Sequence, residues 1–111
     1  EWVWLRGMYD QLAEAVRADG AQLLMVIMPL AYQMDEGYPF LPQELFARYC
    51  EERSLQCLDL LPAFREHGGE ELFLGQQLGY LDIWHLSNRG HVLVADELRQ
   101  FLEEHDLIGQ Q

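Results

Sequence analysis

A chain of 111 residues makes one domain at most, and with 50% apolar and 12% aromatic residues it is globular rather than disordered. Its 19 acidic against 7 basic side chains leave a formal charge of −12, which argues against nucleic acid or an anionic membrane as a partner, since either needs a basic face. No apolar run approaches the roughly 20 residues that span a bilayer, and the stretch 23–28 is too short, and lacks the basic flank, for a signal peptide.

The acidity reads as a solvated surface. The chain opens on Glu1-Trp2 rather than on Met, which points to a processed product, a trimmed chain or a piece of something longer. Cys50 and Cys57 make no metal-ligand pattern. They read as two buried thiols, and a bridge between them would need close Cα atoms.

Residues 2–18 carry helical spacing. Leu5, Met8, Tyr9, Leu12, Ala15 and Val16 form the expected buried face, and Arg6, Asp10, Glu14 and Arg17 the wet one. Gly20 stands where a left-handed C-terminal cap belongs. Trp2 and Trp4 read as core or as contacts to a neighbouring segment, and secondarily as a partner surface. Gln22 to Met28 is continuously apolar after its first residue and closes on Pro29. That is the pattern of a parallel strand covered on both faces. Leu30 to Leu41 holds Gly37, Pro39, Tyr32, Tyr38 and Phe40 and reads as a long loop at the strand's carboxyl end, where open α/β sheets bind ligands. Its aromatics line a pocket or pin the loop.

Pro42 opens a second helix, 42–53, with Leu45, Phe46, Tyr49 and Cys50 inward. Residues 55–60 make a second short strand, and Leu61 to Phe64 begin an irregular or helical stretch that breaks at His67-Gly68-Gly69. Glu70 to Leu74 reads as a single turn, and Gly75 to Gly79 as a loop. A last helix starts near Asn88 with Ser87 as N-cap. Val92, Ala95, Leu98, Phe101 and Leu102 are its expected inner face. A strand apolar on both faces needs neighbours that two strands and three helices only partly supply. The missing strands are expected from an N-terminal half ahead of Glu1, or from a partner chain.

The chemistry concentrates in Asp82-Ile83-Trp84-His85-Leu86-Ser87-Asn88-Arg89-Gly90-His91. A carboxylate three residues before an imidazole, in a loop feeding a helix, can fix one ring tautomer and stabilise the imidazolium. The plain alternative is a structural hydrogen bond that closes a turn. Trp84 reads as packed beneath this loop, with a pocket wall as the lesser option, Gly90 as the point of close approach of helix and strand, and His91 as a helix-surface or packing residue. His67 reads as an exposed turn residue. A metal site from Asp82, His85 and His91 is the weaker reading, so no metal or cofactor is expected.

This block, followed by Val92-Leu93-Val94-Ala95, resembles the last conserved block of the SGNH (GDSL-type) hydrolases: Asp-x-x-His-Leu, a small polar cap, Gly, and an apolar helix. The upstream order of helix, Pro-ended strand, loop, helix and short strand resembles the later half of the same family. The likeness spans nearly the whole chain. It implies the C-terminal portion of a three-layer α/β/α, flavodoxin-like fold with a parallel sheet. It implies acyl hydrolysis or O-acyl transfer through a serine ester, with His85 as general base and Asp82 as its orienting carboxylate. The family's Gly-Asp-Ser block and its oxyanion Gly and Asn have no counterpart here. Ser54 at a helix end and Ser87 in a cap do not read as nucleophiles. Two readings follow. One is the Asp/His-bearing part of an esterase or acyltransferase acting on an acyl ester. The other is a non-catalytic α/β module that binds a partner chain through an exposed sheet edge.

Overall fold

The computed structural model describes residues 1–38, 41–75 and 82–108. Pro39, Phe40, residues 76–79 of the expected loop, and Leu81 lie outside them. The chain is mixed α/β and mostly helical. Its elements are α1 (Trp2–Ala18), β1 (Leu24–Ile27), α2 (Leu41–Arg53), β2 (Gln56–Asp59), α3 (Leu61–His67) and α4 (Asn88–Glu104). Two 3-10 turns, Ala31–Met34 and Gly69–Leu72, complete the order.

β1 and β2 pair in parallel, with Leu24 opposite Gln56 and Ile27 opposite Asp59. The Leu60 N–H carries the ladder one step further by donating to the Ile27 carbonyl at 3.2 Å. Pro29 has no N–H to donate, which stops β1 short of the expected run. Among the described residues the sheet has these two strands only, so β1 has one unpaired edge, where Val26 is exposed.

Three helices end in the same way. After α1, Gly20 adopts φ 75° while its N–H bonds Arg17 O and the Ala21 N–H bonds Val16 O, a Schellman closure. Ser54 (φ 55°) and Asp106 (φ 51°) do the same after α2 and α4, without glycine's freedom. The tight turn at Ser54 brings β2 straight back beneath α2. Cys50 and Cys57 are thereby brought to a Cα separation of 6.2 Å and joined as a disulfide, so the two thiols read from the sequence are not free.

The core is Leu60, Phe64, Leu72 and Phe73, flanked by Ala31, Met34, Leu58, Leu86, Leu93 and Val94. It lies where β2 and α3 meet the second 3-10 turn and the start of α4. α3 fills the stretch after Leu60, with His67 exposed at its end.

The two long helices are rotated from their expected faces. In α1, Met8 and Leu12 are exposed, and Arg6 and Asp10 turn toward α2 instead. Ion pairs and rings share that face. Asp10 Oδ1 accepts from Tyr49 Oη at 2.9 Å and from Arg53 Nε at 2.8 Å, and Arg6 pairs with Glu52 at 2.7 Å. Trp2 and Tyr9 pack their edges on Phe46, at ring-centroid distances of 5.2 and 5.6 Å. In α4 the inner positions include Leu93, Val94, Leu98, Phe101 and Leu102, while Val92 and Ala95 face water.

Candidate functional site

Asp82 and His85 come together as expected. Asp82 Oδ2 sits 2.6 Å from His85 Nδ1. Its other oxygen, Oδ1, accepts the backbone N–H of Trp84 at 3.1 Å and of His85 at 2.9 Å, an Asx-type turn that holds the carboxylate in place. The His85 N–H bond to this carboxylate, above all, holds the Asp82 carboxyl below its ordinary value of 3.8; the Trp84 N–H and the imidazole add to it against the opposing effect of burial. Asp82 is therefore an acceptor at neutral pH. The Nδ1 facing it must carry a proton, and in the neutral ring Nε2 then holds a lone pair.

The two side chains differ sharply in exposure: 8% for Asp82 and 74% for His85. The carboxylate is packed into the protein while the imidazole stands at the surface. Nε2 has no hydrogen-bond partner among the described residues.

The loop's path is fixed by backbone bonds to the segment before it. Ser87 N–H donates to Leu72 O and Leu74 N–H to His85 O, both at 2.9 Å, around a Phe73–Leu86 bridge. Ser87 then caps α4. Its Oγ accepts from Gly90 N–H at 3.2 Å and donates to Glu71 O at 2.8 Å. Arg89 pairs with Glu71 alongside. Gly90 lies so close to the Leu72 carbonyl that a Cβ would collide with it. The close approach expected at Gly90 is thus real, but its partner is the 3-10 turn rather than a strand.

Trp84 departs from its expected place. It is 65% exposed rather than packed under the loop, because Asp82, not an indole, supplies the loop's internal anchor. His91 is exposed on α4. Among the described residues no three His, Cys, Asp or Glu side chains cluster as metal ligands. Both serines of the sequence have structural roles, Ser54 in the left-handed turn after α2 and Ser87 in the cap.

Sequence reasoning missed a second polar assembly. Gln33 and Gln43 are both buried and exchange amide bonds of 2.8 and 3.0 Å. Arg65 Nε donates to Gln33 O at 2.6 Å. These bonds brace the 31–38 segment against α2 and α3. Ala31 N–H in turn donates to Ile83 O at 3.1 Å, which ties the braced segment to the Asp82–His85 loop. A Pro-ended strand followed by a loop was the only hint of this in the sequence.

The chain matches no family model, no curated protein and no solved structure. No helix is long and apolar enough to cross a membrane among the described residues.

Proposed function

We propose that this chain is the Asp/His-bearing, C-terminal part of an SGNH-type esterase, acyl hydrolase or O-acyltransferase, and that a serine from a preceding segment or a partner chain completes it. In this reading the sheet extends into the three-layer, flavodoxin-like form. The observation that carries it is the pairing of a buried, acceptor-only carboxylate with an exposed imidazole whose Nε2 has no partner among the described residues. His85 Nε2 takes the serine proton as the oxygen attacks the acyl carbon, and returns it to the leaving oxygen. Asp82 keeps the tautomer and stabilises the imidazolium. An acyl ester is the substrate. Oxyanion donors, worth about 3–4 kcal/mol each in comparable enzymes, come with the serine-bearing part.

The test is made on the complete gene product or complex. It should label with a serine-directed fluorophosphonate and hydrolyse p-nitrophenyl acetate. Replacing His85 by Ala should lower the hydrolysis rate by about 10²–10⁴-fold, the range for a general base, with the far-UV spectrum unchanged. Undiminished turnover in that variant rejects the role.

A second reading, a non-catalytic module that binds a partner chain, draws on one observation. Among the described residues one edge of β1 is unpaired, and α1 carries an exposed apolar stripe, Trp4, Met8 and Leu12. An open edge of this kind invites strand addition. Absence of probe labelling in the complete protein, with a chain still captured along β1, would favour it.

A further inference from the structure

We propose that the buried Gln33–Gln43 pair positions the Asp82–His85 loop, so that it sets where the His85 imidazole stands without touching it. The coupling of pair to loop is independent of the acyl chemistry; its effect on turnover rests on the reading above.

The loop is gripped from two sides. From one, Leu74 N–H donates to His85 O, Ser87 N–H donates to Leu72 O, and Gly75 lies against the Asp82 backbone. That grip belongs to the core, through Leu72 and Phe73. From the other side, Ala31 N–H donates to Ile83 O at 3.1 Å. This bond comes from a four-residue 3-10 turn, Ala31–Met34, and a helix that short is marginal by itself.

Gln33 fixes the turn. Its Oε1 uses both lone pairs, on the Leu30 N–H at 3.0 Å and on Gln43 Nε2 at 3.0 Å. Its Nε2 returns a bond to Gln43 Oε1 at 2.8 Å. Its carbonyl accepts from Arg65 Nε at 2.6 Å, while Arg65 Nη2 donates to Asp35 O at 3.3 Å.

Apolar contact alone would not aim the turn. Ala31 and Met34 already pack on the core, but such contacts are non-directional. Two apolar side chains of the same size could replace the buried amides at little cost in stability. What the amides add is direction. The reciprocal pair has one geometry, and Gln33 passes it to Leu30 and so to the next N–H, that of Ala31, which holds Ile83. Ile83 follows Asp82 and precedes Trp84, whose N–H bonds Asp82 Oδ1. A shift at Ile83 therefore moves the carboxylate and the imidazole as a unit: the tautomer stays, and the direction of Nε2 changes.

Hydrogen exchange in the 111-residue chain tests the coupling. Gln43→Met keeps length and bulk and removes the pair. Ala31 N–H should then exchange at least about tenfold faster, while Leu60 N–H, buried and bonded to Ile27 O, changes by less than about twofold. The backbone resonances of 82–86 should move, and the His85 ring ¹⁵N shifts should not. Should that variant not fold, Gln33→Met/Gln43→Met leaves no side-chain amide orphaned and should free the loop in the same way. Gln43→Glu is the rescue. Burial keeps its carboxyl neutral at pH 5, where it donates and accepts as the amide does. Compared with the unaltered chain at the same pH, its Ala31 exchange should be normal at pH 5 and fast at pH 8. In the complete enzyme, Gln43→Met should lower kcat by about tenfold or more with KM unchanged, the mark of a misplaced base. If the complete protein hydrolyses no ester, the acyl reading fails and the exchange result still decides the coupling. Equal acceleration at Ala31 and Leu60 would make the pair a mere fold stabiliser, and an unmoved Ala31 would mean that it does not reach the loop. Either overturns the proposal, as does undiminished kcat in an active enzyme.

Discussion

Glycine to alanine at two helical positions should give opposite signs. Gly7 lies mid-helix in α1 on an exposed face, and a Cβ there meets nothing within 4 Å. Only backbone entropy changes, so Gly7→Ala should stabilise by about 0.5–1 kcal/mol. Gly90 lies in the first turn of α4. Its added Cβ runs into the Leu72 carbonyl and comes to 3.0 Å from Leu86 Cβ. The obstacle is backbone, which cannot swing aside as a flexible side chain does. α4 must retreat, and the retreat strains the Ser87 N–H bond to that same carbonyl and the Ser87 Oγ bond to Glu71 O. Overpacking costs about 1–3 kcal/mol, and each strained hydrogen bond about 1 more. The helical preference for alanine offsets at most about 1 kcal/mol. A net loss of about 2–4 kcal/mol follows, or about 10–15 °C in Tm for a domain of this size. Far-UV melting and urea unfolding of the two single variants measure both effects. Because Leu72 and Leu74 also hold Ser87 and His85, the His85 ring resonances should move in Gly90→Ala and stay in place in Gly7→Ala. A Gly90→Ala melt at or above that of the unaltered chain refutes the close contact.

Burial, and after it the bond to Asp10, push the Tyr49 hydroxyl up to about 12 from its ordinary 10.0. A raised value makes the folded state hold its proton longer than the unfolded one. The stability this gives is therefore complete below pH 10 and lost as the pH climbs to about 12, by about 2–3 kcal/mol. Tyr49→Phe should cost about 1 kcal/mol at neutral pH and flatten that alkaline decline; urea midpoints taken across the interval would show an unchanged decline if the assignment is wrong. Ser87→Ala removes the α4 cap and leaves Gly90 N–H without its acceptor, so it should cost about 1–2 kcal/mol, and a cost near zero in urea unfolding would discard the cap. On the acid side, the backbone donors that lower Asp82 give stability that is complete above 3.8 and lost as the pH falls through its lower folded value. Asp82→Asn should remove part of the loss between pH 5 and 2, and identical acid unfolding of the two proteins would contradict this.

Periodicity made the long helices legible, and the continuous apolar run with its closing proline marked β1. Ser87 three residues before Gly90 marked the start of α4. Helix phase was harder to read, because a spacing rule sorts residues by apolarity alone. In α1 the rings of Trp2 and Tyr9 pack on Phe46, and the ion pairs of Asp10 with Arg53 and Arg6 with Glu52 share that face, so charged positions lie toward α2 while Met8 and Leu12 are exposed. The Gln33–Gln43 exchange was invisible for a related reason. Each glutamine alone reads as surface, and only the fold makes them mutual partners across ten positions. The disulfide depended on the left-handed turn at Ser54, which no glycine announced. Of the candidate site, Asp82 and His85 were legible from local spacing, whereas the braced segment beside them was not, since its contacts are long-range.

A turn that merely had to close would not need aspartate at position 82. The Asx bond uses one oxygen, Oδ1, and asparagine supplies that equally well. What asparagine lacks is the second acceptor. With its oxygen committed to the Trp84 and His85 N–H groups, an asparagine would turn its NH₂ toward His85 Nδ1. Nδ1 would then have to accept, and the neutral ring would move its proton to Nε2. The turn would survive while the free lone pair at the surface disappeared. Asp82→Asn therefore separates the two roles of this loop in the chain as it stands. The ¹⁵N shifts of the His85 ring should report a protonated Nδ1 in the unaltered protein and a protonated Nε2 in the variant, with the backbone resonances of 83–87 little changed. The same tautomer in both proteins would mean that the carboxylate only closes a turn, and the acid–base reading of His85 would lose its foundation.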